Sequence, residues 1–353
     1  MLVLVGVMAL LAMGGQAVAQ REMRRAPRPL VSHPRWRLVA RNVDYLLASG
    51  RYVLLIKGYK NSSGTLIDDQ TGTRISLSVP AGCNFDNSYP PGNSLGGTVP
   101  GPGGALGGSW VVAACTSPSA EAPRVYELYS IPARRWAPFT PNLTQMLGPY
   151  CRGDEQCEAN YYATYFAVGD DWIQFELDCG YHCPPAGFAF QNIQTGQVDG
   201  QPPDWKPGGT QIPDLNSPAL TQTVCRPLRV GDGFPSPAQS FPGTVLFGRF
   251  AIAASRGFTW HLERCGSRLH KPIGGGSLAA NRRTVVWTTG SPRHPHRKIE
   301  GVFLPGLRPL VVQGPTRSLS DVAFSSRALY VWAPGSRRVW RTANPMLVGR
   351  PLP

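Results

Sequence analysis

The chain has 353 residues, 42% of them hydrophobic and 10% aromatic, which excludes a disordered polymer. Only 16% are charged, yet 35 Lys and Arg against 21 Asp and Glu leave a net charge of +14. With 40 glycines and 35 prolines the chain is broken too often for long helices, so short strands joined by turns are expected.

In chain order, Met1 to Met13 is an apolar run too short to span a bilayer. Ala17-Val18-Ala19 before Gln20 has the A-x-A form of a cleavage site. Residues 1–19 are therefore expected to be a secretory signal, although no Lys or Arg precedes the apolar run. Residues 20–42 read as a basic N-terminal segment and 43–353 as the folded body. A secreted or extracytoplasmic location, in the cell envelope or beyond it, follows from that leader.

The eight cysteines are Cys83, Cys115, Cys151, Cys157, Cys179, Cys183, Cys225 and Cys265. An even number in an exported chain points to disulfides, which persist where the compartment is oxidising. The close pairs Cys151/Cys157 and Cys179/Cys183 suit short staples, leaving Cys83 with Cys115 and Cys225 with Cys265. A metal reading of Cys179-Gly-Tyr-His-Cys183 lacks the second paired knuckle of a zinc site.

A unit of four short runs opens near Val43: VDYLLASG, RYVLLIKG, TLIDDQTG and TRISLSVP. Its second run recurs at Gly107–Cys115, Asp170–Cys179, Gly248–Ser255, Asn281–Gly290 and Ser326–Gly335. The third recurs at Tyr126–Trp136, Phe188–Gly196, Thr259–Leu269 and Arg337–Thr342. Two copies share a turn, Gln70-Thr71-Gly72 and Gln194-Thr195-Gly196, where Gly supplies a positive φ. Long insertions interrupt the pattern near 84–108 and 200–243. The last unit lacks a fourth run, and the unassigned piece Trp36-Arg37-Leu38-Val39-Ala40 is a candidate to supply it.

In these units the chain resembles the broad superfamily of secreted bacterial β-propellers, the WD-repeat-like and quinoprotein-like folds. The resemblance implies an all-β fold, a single propeller of about six four-stranded blades. It rests on the repeat pattern, without a recurring Gly-His or Trp-Asp signature. A pair of β-sandwiches is the alternative that the same pattern allows.

No nucleophile elbow, P-loop, H-E-x-x-H or dinucleotide fingerprint is present, and no cofactor is expected. The pairs Asp68-Asp69 and Asp170-Asp171 fall at turns, where Asp usually hydrogen-bonds locally. Asp154, Glu155 and Glu158 read as a solvated acidic loop, with a calcium site the alternative, and Arg152-Gly153-Asp154 as a tripeptide too short to carry meaning.

The charge is unevenly spread. Residues 1–246 hold 18 basic and 18 acidic side chains, whereas 247–353 hold 17 and 3. Arg21 to Arg51 alone carries eight Arg against Glu22 and Asp44. If the chain closes into a ring, its two basic ends become neighbours. The expected function is an exported, non-catalytic binding or scaffolding propeller that recognises an anionic wall polymer, polysaccharide or membrane surface, or a protein. Arg282, Arg283, Arg293, Arg297 and Lys298 are the candidate basic patch. Nucleic acid is not the expected partner of an exported chain. The alternative is a carbohydrate-active hydrolase or lyase using carboxylates at a central channel.

Overall fold

The computed structural model describes residues 28–57, 63–85, 105–115, 125–169, 171–178, 187–199, 245–247, 250–255, 259–264, 270–273, 278–281, 283–288, 298–304, 306–317, 319 and 321–348. Two N-terminal strands come first, β1 (Leu30–Ser32) and β2 (Arg37–Arg41). Sheet 1 follows as a meander of β3 (Tyr45–Ser49), β4 (Tyr52–Lys57), β5 (Ser63–Asp68) and β6 (Arg74–Ser78). Its inner pair carries Leu46, Leu47, Val53, Leu54, Leu55 and Ile56 at 4% exposure or less. Both faces of these strands are covered, so the run is continuously apolar rather than alternating.

Sheet 2 contains β7 (Cys83–Asn84), β8 (Leu106–Gly107), β9 (Trp110–Cys115), β10 (Tyr126–Ser130) and β11 (Arg135–Phe139). Two short helices lead onward, α1 (Leu143–Cys151) and α2 (Glu155–Asn160). Sheet 3 is β12 (Tyr162–Val168), β13 (Trp172–Asp178), β14 (Gly187–Asn192) and β15 (Val198–Asp199). Sheet 4 is β16 (Val245–Phe247), β17 (Phe250–Ser255), β18 (Thr259–Arg264) and β19 (His270–Ile273). Sheet 5 is β20 (Leu278–Ala280), β21 (Thr284–Thr288), β22 (Lys298–Phe303) and β23 (Arg308–Gln313). Sheet 6 is β24 (Asp321–Phe324), β25 (Leu329–Ala333) and β26 (Arg338–Thr342), and the turn α3 (Pro345–Val348) ends the described chain.

These are the blades of a β-propeller, six antiparallel sheets whose second strands are nearly continuously apolar in sheets 1, 2, 5 and 6. Separate sheets of four strands rule out a pair of β-sandwiches. Apolar clusters join sheet 1 to sheet 2, sheet 2 to sheet 3, sheet 5 to sheet 6, and sheet 6 to sheet 1. In the last of these, Leu46, Val53 and Leu55 meet Ala323, Tyr330 and Val339. Among the equivalent aromatics of the second strands, Trp287 is buried, while Trp110 and Trp172 are only half-buried. Phe250 lies among residues whose side chains are not described.

The N-terminal strands belong to the end of the ring. β2 is the outer strand of sheet 6, antiparallel to β26, and β1 runs parallel to β23 as a fifth strand of sheet 5. The insertion near 84–108 is shorter than its sequence suggests, because Asn84 and Leu106–Gly107 belong to sheet 2. β7 and β8 pair with opposite ends of β9, so together they occupy one innermost strand position.

Two disulfides are present, Cys83–Cys115 and Cys151–Cys157, the pairings the spacing suggests for those four. Cys83 and Cys115 are directly opposite in the ladder of β7 and β9. Cys151–Cys157 joins the end of α1 to the first turn of α2. Cys179, Cys183, Cys225 and Cys265 lie outside the described residues, as does the segment 1–19.

Candidate binding surface

The seam between sheets 1 and 6 begins in a local turn. Asp68 accepts from the Gln70 amide at 2.9 Å, and Gly72, at φ +78°, returns its amide to the Asp68 carbonyl at 2.7 Å. Sheet 3 repeats the turn: the Asn192 side chain accepts from Gln194 and Thr195, and Gly196 stands at φ +73°. The residue after the capping side chain differs. Ile193 packs against the cluster between sheets 2 and 3, whereas Asp69 meets three donors of sheet 6.

Those donors are the Ser325 hydroxyl, the Tyr330 hydroxyl at 2.8 Å and Arg341 Nε at 2.8 Å. Burial, then the Asp69 charge, pushes the Tyr330 phenol up despite Arg341. Next to it, Arg51 pairs with Asp68. Burial works against the Asp68 carboxylate, but Arg51, the Gln70 amide and Thr71 outweigh it and hold its pKa below the usual value. Both acids are therefore committed to structural pairing, which leaves neither as a free catalytic group.

On the outer edge of sheet 6, charge is left uncompensated. Arg37 is directly opposite Arg341, and Arg41 directly opposite Arg338. Like charges opposite one another destabilise a strand pair. Arg341 has Asp69; Arg41 and Arg338 are exposed, with no ion pair among the described residues. Leu30 pairs with Leu310, and two residues before each come the exposed Arg28 and Arg308. Across the described parts of 28–41 and 283–348 there are 12 basic residues and two acidic ones, Glu300 and Asp321. The two basic ends of the chain thus share one sector, because β1 and β2 dock on sheets 5 and 6.

That sector holds an open cleft of about 660 Å³, lined by His33, Trp36, Leu38, Gln313, Pro315 and Trp340 among others. Trp36 Nε1 donates to the Gln313 carbonyl at 2.7 Å, which fixes the indole between sheets 5 and 6. Leu38 is opposite Trp340 and 42% exposed. Arg338 is two residues from Trp340 on the same strand, so both point to one face, and Arg41 opposite Arg338 shares it.

No protein-family model matches the chain, and no curated protein matches it. Solved structures do. The Swd1 β-propeller domain of Myceliophteria thermophila matches at 10% identity and a TM-score of 0.34, covering 85% of this chain and 83% of that one. BamB from Moraxella catarrhalis matches at 10% and 0.30, covering 84% and 71%. A chain of a mitotic checkpoint complex matches at 8% and 0.45, covering 90% and 97%. The propeller assignment made above stands on the sheet order and packing.

Of the five basic residues singled out by sequence, two are described. Arg283 precedes β21 and its carbonyl accepts from Leu304 after β22, whereas Lys298 opens β22 at the far end of the same hairpin. Both are exposed, and they lie at opposite ends of sheet 5. Arg282, Arg293 and Arg297 lie outside the described residues. Arg152, Gly153 and Asp154 form an exposed turn between α1 and α2, and Asp154, Glu155 and Glu158, expected as an acidic loop, are the cap and part of α2. Asp154 Oδ1 caps α2 by accepting from Gln156 and Cys157, a local structural task. Among the described residues, no group of three His, Cys, Asp or Glu side chains could hold a metal ion.

The cleft had no single sequence signal. Trp36 and Gln313 are 277 residues apart, and only the pairing of β1 and β2 brings them together. The nearest hint was aromatic and Arg residues alternating in both Arg35-Trp36-Arg37 and Arg338-Val339-Trp340-Arg341.

Proposed function

We propose that this protein is a non-catalytic binding propeller of an oxidising, extracytoplasmic compartment that captures anionic polymer through its basic sector. The carrying observation is the convergence of the N-terminal strands with sheets 5 and 6, which brings together 12 basic side chains, of which Arg337 and Arg341 pair with Asp44 and Asp69 of the adjoining sheet, and two acidic ones. Such a surface draws polyanions by long-range attraction and holds them by paired hydrogen bonds from guanidinium groups. The two disulfides support the compartment, since such bonds persist where thiols are oxidised. Of the basic patch read from the sequence, Arg283 and Lys298 are among those 12 side chains.

Retention on immobilised anionic polysaccharide and on anionic vesicles tests this at low and moderate salt. Wild type should be retained at low salt and elute earlier as ionic strength rises, because exposed charges are screened. Changing Arg28, Arg37, Arg41, Arg308 and Arg338 together to Gln should abolish most of that retention. Retention unaffected by salt, or by the five substitutions, would reject the basic sector as the binding surface.

A further inference from the structure

We infer that the cleft between sheets 5 and 6 is a subsite for an acidic sugar unit, one whose ring lies on tryptophan while its carboxylate or sulfate meets Arg41 and Arg338. The inference rests on the proposed capture of anionic polymer and names the polymer's chemistry. Three observations point to it together.

The cleft holds two indoles, and the Arg41/Arg338 pair lies next to its Leu38/Trp340 wall on the same two strands. The polar edge of Trp36 is already satisfied by the Gln313 carbonyl, so what it brings to the cleft is apolar surface. Trp340 is half-buried and opposite the exposed Leu38, giving a second apolar wall. Ring faces of pyranoses are apolar C–H surfaces and match such walls, whereas a bare phosphate would use none of them.

The charge on that face is unbalanced. Arg41 and Arg338 are opposite one another without an acid among the described residues to separate them. That arrangement costs the free protein stability, and a ligand carboxylate or sulfate between the two guanidinium groups removes the cost. A guanidinium group also suits planar bidentate recognition of a carboxylate. Arg35 beside Trp36 and Arg317 beyond Pro315 are both exposed and add positive charge to the same sector.

The cleft is open, about 660 Å³, and framed on both sides by strand edges. An open cleft of this size admits one unit of a longer chain while the rest stays in solvent. The N-terminal segment supplies one wall, so the subsite exists only when β1 and β2 are docked.

The test uses the full chain, a uronate hexasaccharide, a neutral dextran oligomer of similar length and phosphatidylglycerol vesicles. Saturable quenching of tryptophan emission by the hexasaccharide, absent with dextran, is expected of the wild type. The pair Arg41→Gln and Arg338→Gln should weaken hexasaccharide binding at least about tenfold, the effect of losing roughly one charged hydrogen-bonding partner. Trp340→Phe, which keeps the fold's apolar packing, should weaken it by a smaller factor and leave vesicle retention unchanged. Equal weakening for hexasaccharide and vesicles in the Arg pair, with no effect of Trp340→Phe, overturns the subsite while leaving the basic sector standing. Loss of salt-sensitive retention on every anionic probe in the wild type itself would instead remove the reading on which it rests. Unchanged thermal unfolding of the variants excludes misfolding as the cause.

Discussion

Arg341 on the last sheet donates through Nε to Asp69 Oδ1 on the first, at 2.8 Å, across 272 residues of chain. The Asp69 side chain is 5% exposed and that of Arg341 27%. Asp69→Ala would strand Arg341, Tyr330 and Ser325 without their common acceptor. We expect a loss of about 2–3 kcal/mol, below the range for a fully buried pair because Arg341 keeps part of its hydration. Urea unfolding measures it, and a companion Asp69→Ala/Arg341→Met variant should recover part of the loss. No loss in the single variant would show that the seam is held by its apolar contacts alone.

A chain lacking the residues before Asn42 should lose at least about 3 kcal/mol, since Leu30, Trp36, Val39 and Ala40 no longer pack. It should also associate as concentration rises, because β26 becomes an unpaired sheet edge. Calorimetry and light scattering read the two effects. An unchanged midpoint would mean that β2 is a loose attachment.

Reduction should destabilise the two disulfide regions unequally. The loops closed are 32 and 6 residues apart in sequence. Chain-entropy arithmetic gives about 4 kcal/mol for the longer loop and about 2 kcal/mol for the shorter. Cys83→Ser/Cys115→Ser should therefore lower the unfolding midpoint more than Cys151→Ser/Cys157→Ser. The reverse order would show that the helix pair depends on its staple more than sheet 2 does.

Acid should act through Asp68. Its carboxylate is held below its usual pKa, chiefly by Arg51 and the Gln70 amide working against burial. That stabilisation is present above the usual carboxylate value and is lost as pH falls through the lowered one. Asp68→Asn should thus be less stable than wild type near neutrality, and the gap should close below about pH 4. A gap that stays constant to about pH 2.5 would assign the effect to shape rather than charge.

The blades were legible because burial on both faces leaves an unmistakable run of apolar residues in the second strands of sheets 1, 2, 5 and 6, from VLLI in sheet 1 to YVW in sheet 6. The shared Gln-Thr-Gly turns were legible for a similar reason, since Gly72 and Gly196 do take positive φ. β1 was not, because a three-residue strand pairing in parallel with Leu310–Val312 has no hairpin to announce it. α1 was hidden by Gly148 and Pro149 inside it, although Asn142, whose side chain accepts from the Gln145 amide, marked its start. Asp69 read as one more turn residue. Its reach to sheet 6 depends on which sheet comes to lie beside sheet 1, and local sequence does not encode that.

The split innermost strand of sheet 2 has a consequence for how this protein can vary. Cys83–Asn84 and Leu106–Gly107 hold their places on β9 independently, one half clamped by Cys83–Cys115 and the other running directly into the turn before Trp110. The stretch between Phe85 and Ala105, both buried, therefore enters and leaves the propeller at fixed points. Lengthening it adds loop entropy only logarithmically. Sheet 2 is thus a socket: the chain joining its two half-strands can change length without re-registering a single ladder.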